Sequence, residues 1–366
     1  MQNLRVPVLN PDGCPAMPTK PSRARRWLKE GKARVIYNDL SIFSIQLIEE
    51  PSGRNTQQVV LGIDPGKLYT GIAAQTARAT LFMAHLQLPF QTVKDRMEQR
   101  RVMRRLRRYR NCRRRPARFS NRRVKKVPPS IKANRQLELR VAKELCAVYP
   151  ITLIVYEVVK AAGSKSFSPV MVGQFWMLSQ LEKLRPTEQK YGWETSQVRT
   201  QLGLEKQKNH KGDTIPQTHA VDGIALAASQ FLTYQQWHTK NAHGANWVGF
   251  CRVTPALFFV IRRPPINRRQ LHLMVPAIGG IRRKYGGTTT RHGLRKGDLV
   301  QAEQASRVSI GWVSGDTKNQ ISVSNFGWKR IAQFTASKVH LIQRSTGLLV
   351  ASDGKLSRLT ALSHQP

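Results

Sequence analysis

Three carboxylates in this sequence stand where a carboxylate is costly. Asp64 follows the apolar run VVLGI and precedes Pro65-Gly66, and Glu157 follows ITLIVY. Asp222 lies one helical turn after His219, so both project from the same face. An ionised carboxylate at the end of a buried strand is expensive unless it is paired or binds a cation. Three or four such ligands converging from strand ends and a helix suit two Mg²⁺ ions about 3.5–4 Å apart, with Mn²⁺ as a substitute. One metal then activates water and the other stabilises the leaving 3′ oxygen, which is in-line hydrolysis of a phosphodiester. Taken singly, each residue has a structural reading: a turn aspartate, a solvated strand end, a capping and helix-surface pair. Their conjunction, in this order and in a chain of net charge +40, favours chemistry.

The elements that must position these residues are legible as apolar runs. VVLGI reads as a buried strand, followed by TGIAAQT and LFMAHLQL as two strands of a meander turned near Ala77-Arg78. After Pro128-Pro129, Ser130 caps a predicted helix with an apolar stripe of Leu137, Val141, Leu145 and Val148, and Pro150 stops it. ITLIVY is a predicted central strand, MVGQFWMLSQLEKL a helix, and THAVDGIALAASQFL a helix with small residues on one side. Residues 186–217 are polar and weakly patterned. The order β-β-β-(basic helix)-α-β-α-α predicts an α/β layered domain carrying an inserted helix.

That inserted helix holds the extreme feature of the composition. Lys and Arg number 61 against 21 Asp and Glu. From Lys94 to Lys126 the chain carries 17 Lys or Arg and only Asp95 and Glu98 as acids. Arg96, Arg100, Arg104 and Arg108 are spaced by four, and Met103, Leu106 and Tyr109 by three, so the stretch predicts a helix that is basic around most of its circumference. Pro116 is its expected end. Arginine is suited to bidentate phosphate contact, so such a helix belongs against phosphates on more than one side. Nucleic acid is the partner that this charge selects. Cys14, Cys112, Cys146 and Cys251 are scattered with no CxxC pair, which excludes a disulfide scaffold and argues against a cysteine zinc site. The start of the chain has no signal-peptide core, and no apolar run approaches the roughly 20 residues that span a membrane, so the expectation is a cytoplasmic protein.

Two flanking regions complete the layout. Residues 1–52 predict a small unit: a strand at LRVPVL, a helix over RARRWLKE capped by Ser22 and closed by Gly31, and strands at ARVIYN and SIFSIQLI. From residue 246, short β-prone runs alternate with turn signals such as Gly286-Gly287 and Ser314-Gly315-Asp316, which predicts a separate β-rich domain, a small barrel.

With these residues in view, the chain resembles a known family. The GIDPG segment with Asp64, IVYE with Glu157 and HAVD with His219 and Asp222 resemble the three split motifs of a RuvC-type nuclease, which has an RNase H-like fold. VPVLNPDGCPAMP resembles the PLMP element of transposon-encoded IscB proteins, with Ala16 in place of the usual Leu. RRVMRRLRRYRNCRRRPAR is similar to their bridge helix, the source of the RRXRR name, and YGWETSQVRTQLGLEK to the segment before the third motif. IscB proteins carry an HNH nuclease between the second and third motifs. Here about 60 residues separate Glu157 from His219, and the one histidine between them is His210. The chain therefore resembles the HNH-less branch, IsrB. A second departure is Lys67-Leu68-Tyr69 after the GIDPG turn, where polar residues are commoner.

The resemblance implies an RNA-guided nickase. It would use a long structured guide, the ωRNA, one protein per RNA, to open duplex DNA bearing a short adjacent motif, and would cut the displaced strand. It implies that Asp64 bridges both metals, that Glu157 and Asp222 each complete one metal's shell, and that His219 ligates or positions the water. It implies nucleic-acid contacts from Arg96, Arg100, Arg101, Arg104, Arg105, Arg107, Arg108, Arg110, Arg113, Arg114 and Arg115, and from Arg282, Arg283 and Lys284 in the C-terminal region. The expected domains are 1–52 (PLMP), 53–92 (RuvC part I), 93–127 (bridge helix), 128–245 (RuvC parts II and III) and 246–366 (β-rich, holding RNA and reading the adjacent motif). Two alternatives stay open: a catalytically silent RNA-guided DNA-binding protein, and a junction resolvase that needs no RNA.

Overall fold

The computed structural model describes residues 4–110, 127–160, 168–239, 243–266, 288–304 and 307–352. The chain divides into two compact units, Met1–Val260 and Ile261–Pro366.

The first unit opens with a four-stranded sheet of β1 (Val6–Leu9), β2 (Pro15–Thr19), β3 (Ala33–Tyr37) and β4 (Phe43–Leu47), in the order β2-β1-β4-β3. Helix α1 (Pro21–Lys29) covers it, and Val6, Val8, Ala24, Ala33 and Ile45 form its buried core. The helix begins two residues earlier than expected. Lys20 is the N-cap and Ser22 lies in the first turn, because Pro21 needs no N–H partner and its ring presets the helical φ. Gly31 closes the helix at φ +69°. Strand β2 is not foreseen from sequence, since its PAMPT carries two prolines.

The main sheet is built from β5 (Val60–Pro65), β6 (Tyr69–Gln75), β7 (Thr80–Gln87), β8 (Leu153–Val158) and β9 (Thr187–Tyr191) in the order β7-β6-β5-β8-β9. The first three form an antiparallel meander, and β8 and β9 continue from β5 in parallel. This is the α/β arrangement of an RNase H-like domain expected from the sequence. Val60, Leu61, Ile63, Ile72, Phe82, Ile154 and Tyr156 are fully buried in it. Helix α3 (Pro129–Val148) lays the predicted stripe of Leu137, Val141, Leu145 and Val148 into the core, although Pro128 rather than Ser130 is its N-cap. Helix α4 (Pro169–Leu181) starts at Ser168, whose Oγ accepts from the Val170 N–H at 3.3 Å.

Helix α6 (Ala220–Ala228) is buried along its whole length. Apart from Asp222 it is apolar all round, and such a helix belongs inside a fold. It can reach the sheet because glycines remove the side chains in its way. A Cβ on Gly71 would sit 1.9 Å from the His219 carbonyl oxygen, and one on Gly62 2.1 Å from that of Gly223. A Cβ on Gly223 would in turn sit 2.9 Å from the Ala73 nitrogen.

Three features differ from the sequence expectation. The polar stretch 186–217 holds β9 and helix α5 (Gly192–Gln201), both anchored by tertiary contacts rather than by an apolar pattern. A hairpin of β10 (Leu232–His238) and β11 (His243–Gly249) spans the expected boundary at residue 246. Strand β12 (Phe258–Arg262) extends the main sheet beyond β7, with Phe259 stacked on Phe82 at 5.1 Å between centroids.

The second unit is β-rich, as expected. Strands β13 (Leu299–Gln304), β14 (Arg307–Asp316), β15 (Gln320–Ser324), β16 (Arg330–Thr335) and β17 (Val339–Gln343) form an antiparallel sheet in the order β16-β15-β14-β13-β17. Val300, Val313, Ile321, Val323 and Phe334 are its core. Strand β18 (Leu349–Ser352) ends the described chain.

Candidate active site

Pairing register brings the first two carboxylates together. Strands β5 and β8 are parallel neighbours with Ile63 opposite Tyr156, so Asp64 and Glu157 are the next residues on adjacent strands, about 4.8 Å apart across the ladder. Asp222 arrives from the first turn of α6, which the glycine contacts seat against β5 and β6. The charges of Glu157 and Asp222 both act on Asp64, and that of Asp222 acts on Glu157.

Each carboxylate has a specific environment. Glu157 accepts from Thr195 Oγ1 at 2.5 Å, and Gly192 approaches so closely that a Cβ there would lie 3.3 Å from Glu157 Oε1. Asp222, only 1 % exposed, accepts from Arg199 Nη1 at 2.6 Å through Oδ1 and from Lys206 Nζ through Oδ2. Burial pushes the Asp64 carboxyl well above the usual aspartate range, with the Glu157 and Asp222 charges adding to the effect. Glu157 is also raised, mainly by burial, and the Thr195 hydrogen bond opposes the shift.

His219 is the N-cap residue of α6. Its Nε2 lies 3.0 Å from the Lys211 carbonyl oxygen, which can only accept, so Nε2 carries the proton and Nδ1 keeps its lone pair. Burial lowers its pKa and favours the neutral ring. Tyr69 and His85 pack around it, with centroids 5.2 and 4.9 Å away. Burial, then the nearby His219, brings His85 down to about 4.

Beneath Asp64 lies a network that sequence reasoning missed. The Gly66 N–H donates to Thr70 Oγ1 at 3.4 Å, Thr70 donates to Glu138 Oε1 at 2.6 Å, and Glu138 is held by Arg135 at 2.6 and 2.8 Å. Asn134 Nδ2 donates to the Lys67 carbonyl at 2.9 Å. The turn after Asp64 is therefore clamped to α3. A sequence-level signal exists for part of this: Asn134, Arg135 and Glu138 are polar residues inside an otherwise apolar helix. Thr195, Arg199 and Lys206 sit in the weakly patterned stretch, where only the resemblance of YGWETSQVRTQLGLEK to the family segment marks them and no periodic pattern does.

The donor set suits a hard divalent cation in kind: three carboxylates, of which Asp64 and Glu157 are held less readily ionised than usual. Among the described residues, no three Asp, Glu, His or Cys side chains converge on one metal position. The side chains of Asp222 and Glu157 are turned toward Lys206, Arg199 and Thr195, so the ammonium and guanidinium supply the positive charge here.

The basic helix α2 (Phe90–Tyr109) leaves the main sheet after β7 and has no buried residue. Its predicted apolar seam is open, with Met103, Leu106 and Tyr109 all exposed. Arg96, Arg100, Arg101, Arg104, Arg105, Arg107 and Arg108 lie on it and Arg110 caps its end, while Arg101 pairs with Glu98. The helix closes at Tyr109. Pro116, Arg113, Arg114, Arg115, Arg282, Arg283 and Lys284 lie outside the described residues. Among the described residues, no helix is long and apolar enough to cross a membrane.

A family described as RRXRR protein matches residues 6–170. The match covers less than half of the chain, from β1 into α4, and includes Asp64, Glu157 and the arginine run but not His219 or Asp222. No curated protein matches. Among solved structures, T. thermophilus RuvC in complex with a Holliday junction substrate aligns at 13% identity and a TM-score of 0.28, over 47% of this chain and 90% of that one. The Thermus thermophilus RuvC structure aligns at 13% identity and a TM-score of 0.27, over 46% and 91%.

Proposed function

We propose that this chain is an RNA-guided DNA endonuclease of the HNH-less IsrB type, a nickase that cuts the displaced strand by RuvC-type phosphodiester hydrolysis. The observation that carries this reading is the side-by-side placement of Asp64 and Glu157 on β5 and β8, with the charge of Asp222 on α6 acting on both, in a chain of net charge +40. The sequence motifs and the RRXRR match to residues 6–170 support it.

In this reading Asp64, Glu157 and Asp222 hold divalent cations, Mg²⁺ or Mn²⁺, which would supply an activated water and stabilise the leaving 3′ oxygen. The protein's own groups prepare the site. Thr195 fixes the Glu157 carboxylate, and the Thr70–Glu138–Arg135 network fixes the turn that carries Asp64. Lys206 and Arg199 neutralise Asp222 until it takes up a cation. His219, neutral with Nδ1 unprotonated, is able to accept a proton from the attacking water. The exposed α2 arginines hold guide RNA and heteroduplex, with one protein on one ωRNA in the cytoplasm of a prokaryotic cell.

The test is co-purification followed by cleavage. The protein is expressed with its flanking non-coding DNA, bound RNA is sequenced, and the complex is incubated with a supercoiled plasmid carrying a guide-matched target and Mg²⁺. Guide-dependent conversion to open circle, abolished by Asp64→Ala with target binding intact, is the expected result. Nicking that survives Asp64→Ala overturns the site. A discrete RNA without nicking selects the silent binding protein, and cleavage without RNA selects the resolvase.

A further inference from the structure

Next in the chain to Gly192, which closes on the Glu157 carboxylate, stands a large aromatic. Trp193 is the second residue of α5, between Gly192, whose Cα faces the Glu157 carboxylate, and Thr195, which bonds it. Its side chain is 51% exposed. It is nevertheless held in place. Tyr234 meets it edge-on at 5.7 Å between centroids and 73° between planes, and Trp247 backs Tyr234 at 5.3 Å. Tyr234 and Trp247 are directly opposed across the β10–β11 hairpin. Trp247 Nε1 donates to Gln197 Oε1 at 3.1 Å, which ties the hairpin back to α5. The hairpin thus buttresses an indole that stays open to solvent, carried by the same helix turn as Gly192 and Thr195.

We propose that Trp193 is a stacking platform for an unpaired base of the DNA strand, placing the adjoining phosphate at Asp64, Glu157 and Asp222. This rests on the phosphodiesterase reading above. Asp64 and Glu157 face a phosphate as acids and the nearby Arg199 and Lys206 are taken up by Asp222, so charge alone does not hold the scissile position. A base face laid on an indole is insensitive to that charge and works for any sequence. The positive charge elsewhere in the chain delivers the strand, and Trp193 sets where along it the site falls.

The experiment measures binding of a fluorescein-labelled single-stranded thymidine oligonucleotide to the full-length protein in EDTA, at salt high enough to suppress purely electrostatic binding. A second oligonucleotide of equal length carries abasic sites throughout. Wild type, Trp193→Ala and Trp193→Phe are compared, with melting curves for each. The expected result is at least about fivefold weaker binding of the thymidine strand by Trp193→Ala, substantial recovery by Trp193→Phe, and no difference among the three on the abasic strand. Equal binding of the thymidine strand by all three, or an equal loss on both strands, overturns the proposal. Because the readout needs neither metal nor cleavage, a stacking effect without nuclease activity leaves the platform standing and removes only the nuclease reading.

Discussion

At the scale of single residues, the site is under electrostatic strain that its function would relieve. Asp64 is buried beside two other carboxylates, and its pKa is raised from 3.8. The folded state then binds this proton more tightly than the unfolded chain, so stability falls as pH rises through and above 3.8. Asp64→Asn removes that penalty. We expect this variant to lose cleavage yet melt at a higher temperature than wild type in EDTA, with the gap widening from pH 4 to pH 8. Superimposable melting profiles would show that Asp64 carries no such cost. Lys206 tests the same balance from the cationic side. Its ammonium sits on Asp222, where a metal would have to replace it. Lys206→Met should lower metal-free stability, because a buried carboxylate loses one of two partners, and should tighten Mn²⁺ binding in calorimetry. An unchanged Mn²⁺ affinity would mean that Lys206 does not compete with the cation.

At the scale of elements, the decisive contact is α6 against β5 and β6. Gly71→Ala puts a methyl group 1.9 Å from the His219 carbonyl, so α6 must move and Asp222 with it. A melting temperature lowered by many degrees and loss of cleavage are expected. Gly53→Ala, with nothing within 4 Å of the new Cβ, should leave both unchanged and serves as the control. Helix α2 makes a different claim, since it packs on α3 but has no buried residue and leaves its arginines outward. Replacing Arg100, Arg104, Arg107 and Arg108 with Gln should weaken RNA binding and flatten its dependence on salt by roughly one released counterion per lost phosphate contact. An unaltered slope in filter binding at several salt concentrations would mean that these arginines face solvent in the complex.

At the scale of the whole molecule, a net charge of +40 sets an energy of self-repulsion that no internal pairing offsets, with only 21 acidic residues against 61 basic ones. A polyanion that binds the folded chain should therefore raise its melting temperature by mass action and by neutralisation. Heparin at low salt is the simple probe, and its effect should shrink as salt rises. A melting temperature indifferent to heparin would place the charge away from any shared binding surface.

Much of this protein follows from its sequence alone. Apolar runs such as VVLGI and ITLIVY announce buried strands because desolvation acts on each residue locally, and the residues that end them, Asp64 and Glu157, are conspicuous for the same reason. The spacing of Arg96, Arg100, Arg104 and Arg108 announces α2 because helical period is a local property. Tertiary structure alone decided the rest. Strand β9, helix α5 and the β10–β11 hairpin are polar segments whose shape comes from the sheet edge and aromatic neighbours they pack on. The partners of the carboxylates, Thr195, Arg199 and Lys206, lie 16 to 38 residues from the groups they bond. A polar side chain carries no periodic mark of the partner it will meet. That choice is made when α6 settles onto its glycine seats, and only then does the site acquire its charge balance.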